Sequence, residues 1–205
     1  MSDEEPPSIK ITLLGNPGVD KTCIIERYID ETFNENNESK IGANYYEKTI
    51  IKDNKEYKLN IWDTAGQEKF HSLGKHFYKD SYIVFLVYDV TNQDSLDALK
   101  SIWYPDLQKH GEKYTVLAVV GNNCDLFEQE GADEEQAKAF AKEIHAFFIL
   151  ISTKNGDGLG ILFNTMIDKF LNPEFYHKYQ EMMREKGEII TLKSKNIHEK
   201  KKKRC

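Results

Sequence analysis

Charged residues make up 30% of the 205-residue chain and interrupt every hydrophobic run. No segment reaches the roughly 20 consecutive apolar residues that a membrane-crossing helix needs. The opening Met1-Ser-Asp-Glu-Glu-Pro-Pro7 is acidic, where a signal peptide is basic and then apolar. Cysteine is scarce: Cys23, Cys124 and Cys205 are odd in number and widely spaced, which excludes a disulfide framework or a zinc cluster of paired thiolates. Internal repeats are absent. The chain reads as cytosolic. Its length suits one domain with tails and a proper core.

An excess of positive charge is also missing from the body of the chain. Residues 172–205 hold ten Lys and Arg against five Asp and Glu, a net +5, while the rest holds 18 against 29, a net −11. An acidic body argues against nucleic acid as its main ligand, and the basic end points to a tail with its own task.

What is present is organised around Lys58-Leu-Asn-Ile-Trp-Asp-Thr-Ala-Gly-Gln-Glu-Lys-Phe70. Leu59 and Ile61 alternate with polar neighbours as in a half-buried strand, and Asp63-Thr-Ala-Gly66 breaks the pattern. An acid at a strand end suits a divalent cation beside a phosphate chain. Gly66 allows a backbone N–H to approach the terminal phosphate, and the Gln67 amide suits orienting a water. Taken alone, the string equally suits a strand running into an ordinary turn. The second stretch is Gly15-Asn-Pro-Gly-Val-Asp-Lys-Thr22, between an apolar run over 9–14 and a helical face of Ile24, Ile25, Tyr28 and Ile29 over 21–30. Strand, glycine turn, Lys-Thr and helix form the setting of a phosphate-binding loop: Lys21 reaches the outer phosphates and Thr22 takes Mg²⁺. Asp20 stands where that motif has glycine.

Residues 31–42 are polar and read as a mobile loop. Two strands over 45–51 and 55–62 flank Asp53-Asn54 as an antiparallel hairpin, and 70–78 as a short irregular helix. The apolar run over 82–88 marks a central parallel strand. A helix over 95–107 should bend or end at Pro105. A buried strand over 115–120 runs into Gly121-Asn-Asn-Cys-Asp125, and a helix begins at Asp133 with Gln136 completing a capping box. Its buried face is Ala137, Phe140, Ala141 and Ile144. A strand over 147–151, the loop Ser152-Thr-Lys154 and a helix over 159–170 follow. Six strands alternating with five helices predict a doubly wound α/β fold, with ligands outside the C-terminal strand ends, where each motif falls. Residues 1–7 are expected to be disordered, 8–172 to form the domain, and 173–205 to be a flexible tail.

Residues 8–172 resemble a small GTPase of the Ras superfamily, whose five nucleotide motifs occur in order at their usual spacings. Ile41-Gly42, Phe70-His-Ser-Leu73 and Leu86-Val-Tyr-Asp-Val-Thr91 are similar to the Rab branch, and His71-Ser-Leu-Gly74 and Phe77-Tyr-Lys-Asp-Ser81 to its early-endosomal members. Trp103-Tyr-Pro-Asp106 echoes Rho proteins, but the interval between Asp125 and Asp133 leaves no room for the Rho insert helix. The resemblance implies a P-loop G domain that binds GTP or GDP with Mg²⁺ as a monomeric switch in vesicle trafficking, on the cytosolic face of endomembranes. Gly15, Gly18, Val19, Asp20, Lys21, Thr22 and Cys23 would lie along the phosphates, Thr22 and Asp63 in the Mg²⁺ shell, and Gly66 at the γ-phosphate. Gln67 would position the hydrolytic water. Asn122, Asn123, Asp125, Ser152, Thr153 and Lys154 would frame guanine, Thr153 through its backbone N–H. Asp125 can accept from the guanine N1–H and 2-amino group, which adenine cannot supply. Effectors, exchange factors and GTPase-activating proteins would engage residues 32–45 and 64–79.

Three departures fall on contact positions. Asp20 places a carboxylate near the phosphates, at a cost of roughly 3 kcal/mol at 5 Å and an effective dielectric near 20, unless a cation such as Lys40 neutralises it. Lys40 stands where the family has a metal-ligating Thr, and an ammonium cannot ligate. Asn123 replaces a Lys whose stem covers the base, a loss of about 1 kcal/mol. Weakened binding and slow hydrolysis are expected; the alternative is a pseudo-GTPase that recruits partners without a nucleotide cycle. A P-loop metabolite kinase is excluded by the lack of an Arg-rich lid. Lys200-Lys-Lys-Lys-Arg204 before Cys205 reads as a lipid-anchor site on an anionic leaflet, although two cysteines are the usual Rab acceptor. Cys23 is expected to be buried and Cys124 to lie in a loop beside the base.

Overall fold

The computed structural model describes residues 6–30, 44–64, 79–112, 114–129 and 131–174. Six strands form one sheet: β1 (Ser8–Leu14), β2 (Asn44–Lys52), β3 (Lys55–Asp63), β4 (Ile83–Asp89), β5 (Val116–Asn122) and β6 (Phe147–Leu150), in the order β2-β3-β1-β4-β5-β6. β2 runs antiparallel to β3, and the remaining pairs are parallel. The helices are α1 (Lys21–Asp30), α2 (Gln93–Ala98), α3 (Tyr104–His110), α4 (Glu134–Glu143) and α5 (Leu159–Leu171).

Helices on both faces explain why the inner strands read as unbroken apolar runs. Ile9, Ile11 and Leu13 of β1 and Ile83, Phe85 and Val87 of β4 point into one core, with Ile24 of α1 and Phe163 and Met166 of α5. Val84, Leu86 and Tyr88 point into the other, with Leu96, Leu99, Trp103 and Phe140. Thr12 is polar and fully buried, and its hydroxyl pairs with Ser81 Oγ at 2.7 Å. The hairpin forms as its sequence indicates. Lys52 faces Lys55, and Asp53 and Asn54 take positive φ of 50° and 60°, the two-residue turn whose twist matches the strands.

Pro105 acts differently from the expectation. It neither ends nor bends the helix at its own position; it sits in the first turn of α3, directly after a π-helical turn. The irregularity lies upstream, in a π-helical turn at Leu99–Trp103 that joins α2 to α3, and the helix runs on to His110. The capping box at α4 is also only half formed. Asp133 Oδ1 accepts from the Gln136 backbone N–H at 3.0 Å, but the Gln136 side chain reaches Asp133 Oδ2, and the Asp133 N–H goes to Gln93 Oε1 at 2.8 Å.

After α5 the Asn172 side chain accepts from the Glu174 N–H at 2.9 Å. Among the described residues no helix is long and apolar enough to cross a membrane. The expected loop over 31–42, the helix over 70–78 and the tail beyond residue 174 lie outside the described residues.

Candidate functional site

Strand order reverses at β1, which has β3 on one side and β4 on the other. In an open parallel sheet that reversal opens a crevice beyond the C-terminal strand ends. The chain leaves β1 through Gly15, whose φ of 152° would put any Cβ 2.2 Å from the Val87 carbonyl oxygen. Gly18 (φ 80°) faces open space, so only its backbone conformation favours glycine. Val19 is buried in the core beneath the loop and anchors it.

Lys21 is buried, and its ammonium donates to the Gly15 and Asn16 carbonyls at 2.7 and 3.0 Å. Its charge is thereby held over the loop that it follows. The Thr22 hydroxyl donates to Asp63 Oδ2 at 2.5 Å, and Asp63 is fully buried at the end of β3. A hydroxyl and a carboxylate oxygen in contact are hard donors, and they suit Mg²⁺ whose other ligands are phosphate oxygens and water. Among the described residues no cluster of three or more His, Cys, Asp or Glu offers an all-protein metal site. Thr64 fixes the end of β3 against β1 by donating to the Leu13 carbonyl at 2.8 Å.

Asn122, fully buried at the end of β5, joins three loops. Its Nδ2 donates to the Val19 carbonyl and its Oδ1 accepts from the Thr153 N–H, both at 3.3 Å. The Thr153 N–H, expected to face the base, is engaged with Asn122, and its side chain is buried. Ser152 donates to Asp125 Oδ1 at 2.6 Å and accepts from the Asn155 N–H at 3.1 Å, which orients the carboxylate. Asp125 is half-buried and Lys154 exposed at the rim.

Asp20 takes φ 63° and Asn123 takes φ 67°, so both departures from the motif occupy left-handed backbone. Burial raises the Asp20 pKa and Asp89 raises it further, while Asn123 and Lys21 act in the opposite sense. Cys23 is half-buried rather than buried, and Cys124, also half-buried, opens a 3₁₀ turn over Cys124–Gln129 with its N–H on the Ile151 carbonyl at 3.1 Å. Lys40, Gly66, Gln67 and Cys205 lie outside the described residues.

A sequence model of the Ras family matches residues 10–172. The Ras-related protein Rab-22A of Homo sapiens is 39% identical over 155 residues, which span 76% of this chain and 79% of that protein. Rab-31 of Rattus norvegicus is 40% identical over the same shares. RIC1 of Oryza sativa subsp. japonica is 34% identical over 172 residues, 84% and 85% of the two chains.

The chain belongs to the Ras family, in its Rab branch.

Two residues of this Rab-branch site carry no signal in the sequence. Trp103, at the end of the π turn, donates its indole N–H to Asn16 Oδ1 at 2.9 Å, so the π turn props the phosphate loop from below. The partners are 87 positions apart, and neither belongs to a motif that implies the other.

Proposed function

We propose that this protein is a guanine-nucleotide-binding switch acting in vesicle trafficking at endomembranes, with weakened nucleotide binding and slow hydrolysis. The observation that carries it is the convergence, at one crevice, of Lys21, the Thr22–Asp63 pair and the Ser152-oriented Asp125. Lys21 binds the outer phosphates and the first turn of α1 supplies N–H groups toward the phosphate chain. Thr22 and Asp63 would hold Mg²⁺, which would supply charge neutralisation along the phosphates. Asp125 selects guanine by accepting from its N1–H and 2-amino group. Gln67 orients the water that attacks the terminal phosphorus, releasing phosphate and GDP. Loss of the γ-phosphate contacts then releases residues 32–45 and 64–79 from their effector surface.

A second reading is a binding module that recruits partners without a nucleotide cycle. Asp20 favours it, because its half-buried carboxylate adjoins the loop that would hold an anion. One experiment separates the two. The protein is purified in Mg²⁺ buffer and denatured, and any released nucleotide is identified by chromatography. Near-stoichiometric GDP or GTP supports the switch. Protein that emerges empty and takes up no GTP on titration overturns it in favour of the module.

A further inference from the structure

The phosphate loop is gripped from both faces of the sheet. Val19 sits in the core that holds Ile24 of α1 and Phe163 of α5. On the other face the Trp103 indole N–H holds Asn16 by donating to its Oδ1 at 2.9 Å. Pro17 and Gly18 lie exposed between the two grips. We infer that Trp103 is a positioning residue for the phosphate site: through Asn16 it fixes the loop carbonyls that seat Lys21, and so sets affinity for the outer phosphate of a nucleoside diphosphate. This rests on the guanine-nucleotide reading and extends it to a residue outside every nucleotide motif.

The links from Trp103 to Lys21 are direct. Trp103 is buried and shares its core with Leu14, the residue that leads the chain into the loop. A buried indole N–H requires an acceptor, and here the loop supplies it rather than the helical segment that carries the ring. The same Asn16 accepts at its backbone carbonyl from the Lys21 ammonium at 3.0 Å, beside the Gly15 carbonyl at 2.7 Å. Asn16 is thus held at side chain and main chain together, and a shift of its side chain turns the peptide on which Lys21 rests.

The segment that carries Trp103 holds the indole in one place. Trp103 ends the π turn, in which the Tyr104 N–H reaches the Leu99 carbonyl, and Ser101 Oγ donates to the Asp97 carbonyl at 2.8 Å. Such turns are rare and concentrate at functional sites. Leu96, Leu99 and Leu107 bury the segment on either side of the ring, so the indole is a fixed post and the loop is the part that yields. A loop held before its ligand arrives loses less freedom on binding. Without the indole, the nucleotide itself must order the loop. That cost falls on the contacts to the outer phosphate, where Lys21 acts.

The test is a double-mutant cycle of wild type, Trp103→Phe, Asn16→Ala and the double variant, titrated with GDP and with GMP in Mg²⁺ buffer. Trp103→Phe keeps an aromatic ring in the core and removes only the donor, and circular dichroism checks that each form is folded. Trp103→Phe alone is expected to weaken GDP about fivefold, the scale of one neutral hydrogen bond lost. GMP lacks the outer phosphate and should weaken by less than about twofold. In the Asn16→Ala background the same change should alter GDP affinity by less than about twofold, because the acceptor is already gone. If Trp103→Phe does not fold, Asn16→Ala, at a half-buried loop position, carries the test with the same expected loss for GDP over GMP. Equal losses for GDP and GMP, an undiminished effect of Trp103→Phe in the Asn16→Ala background, or unchanged GDP affinity in Asn16→Ala each overturn the positioning role and leave the nucleotide reading standing. Absence of GDP binding in all forms, wild type included, overturns both.

Discussion

Gly15 and Gly18 stand three positions apart in one loop and are glycine for different reasons. A Cβ at Gly15 would meet the Val87 carbonyl at 2.2 Å, whereas one at Gly18 would meet nothing within 4 Å. Gly15→Ala must therefore displace backbone, and Gly18→Ala adds only the cost of a left-handed residue, about 1 kcal/mol. Urea unfolding should show the Gly15 variant as clearly the less stable of the two. Asn122 makes a similar point about burial. Its amide satisfies the Val19 carbonyl and the Thr153 N–H inside the protein. Asn122→Ala leaves both without it and should cost about 1–3 kcal/mol in the same measurement. A change within experimental error would mean that the amide does not join these loops.

Among the elements, α4 has the clearest single-residue control. Its N-cap Asp133 accepts from the Gln136 N–H, and that bond holds the carboxyl below its ordinary value of 3.8. A depressed pKa means stability that is present above the unfolded value and lost as pH falls through the folded one. Asp133→Ala should lower the melting temperature at neutral pH, and the gap from wild type should close in acid, below about pH 3.8. A gap that persists unchanged into strong acid would contradict the charged cap. The segment from α2 to α3 shows how an element absorbs an awkward residue. Pro105 reads as a stop, yet the π turn ahead of it leaves its ring room and brings Trp103 onto Asn16.

At the scale of the whole molecule, Tyr28 links three elements. Its ring stacks on Phe163 of α5 with centroids 3.6 Å apart, and Lys48 of β2 lies 4.3 Å from its centroid. Burial pushes its phenol up to about 12. The folded protein thus keeps this proton longer than the unfolded chain does. The stability it contributes is complete below pH 10 and is lost as pH rises toward 12. Tyr28→Phe, which has no proton to lose, should unfold at higher pH than wild type in an alkaline titration followed by far-ultraviolet dichroism. The tail offers a separate test: if Cys205 carries a lipid beside Lys200–Arg204, Cys205→Ser should move the protein from the membrane pellet to the supernatant on fractionation. Unchanged partition would remove the anchor.

Much of this arrangement was legible because it is written in local chemistry. Alternation and apolar runs mark the six strands, Asp53-Asn54 marks its turn, and Lys21-Thr22, Asp63 and Asp125 carry recognisable motifs at strand ends. The family followed from those motifs, and the comparisons agree with it. The contacts between motifs were not legible, because they join residues distant in sequence through backbone angles that no local pattern specifies. Asp20 and Asn123 read as two separate defects, and each pointed to a different remedy. Only the tertiary structure joins the loops that carry them: β1 and β5 end at the same edge of the sheet, and Asn122 Nδ2 donates to the Val19 carbonyl between them. Residue type determined what each group can donate or accept, and strand order decided which groups meet.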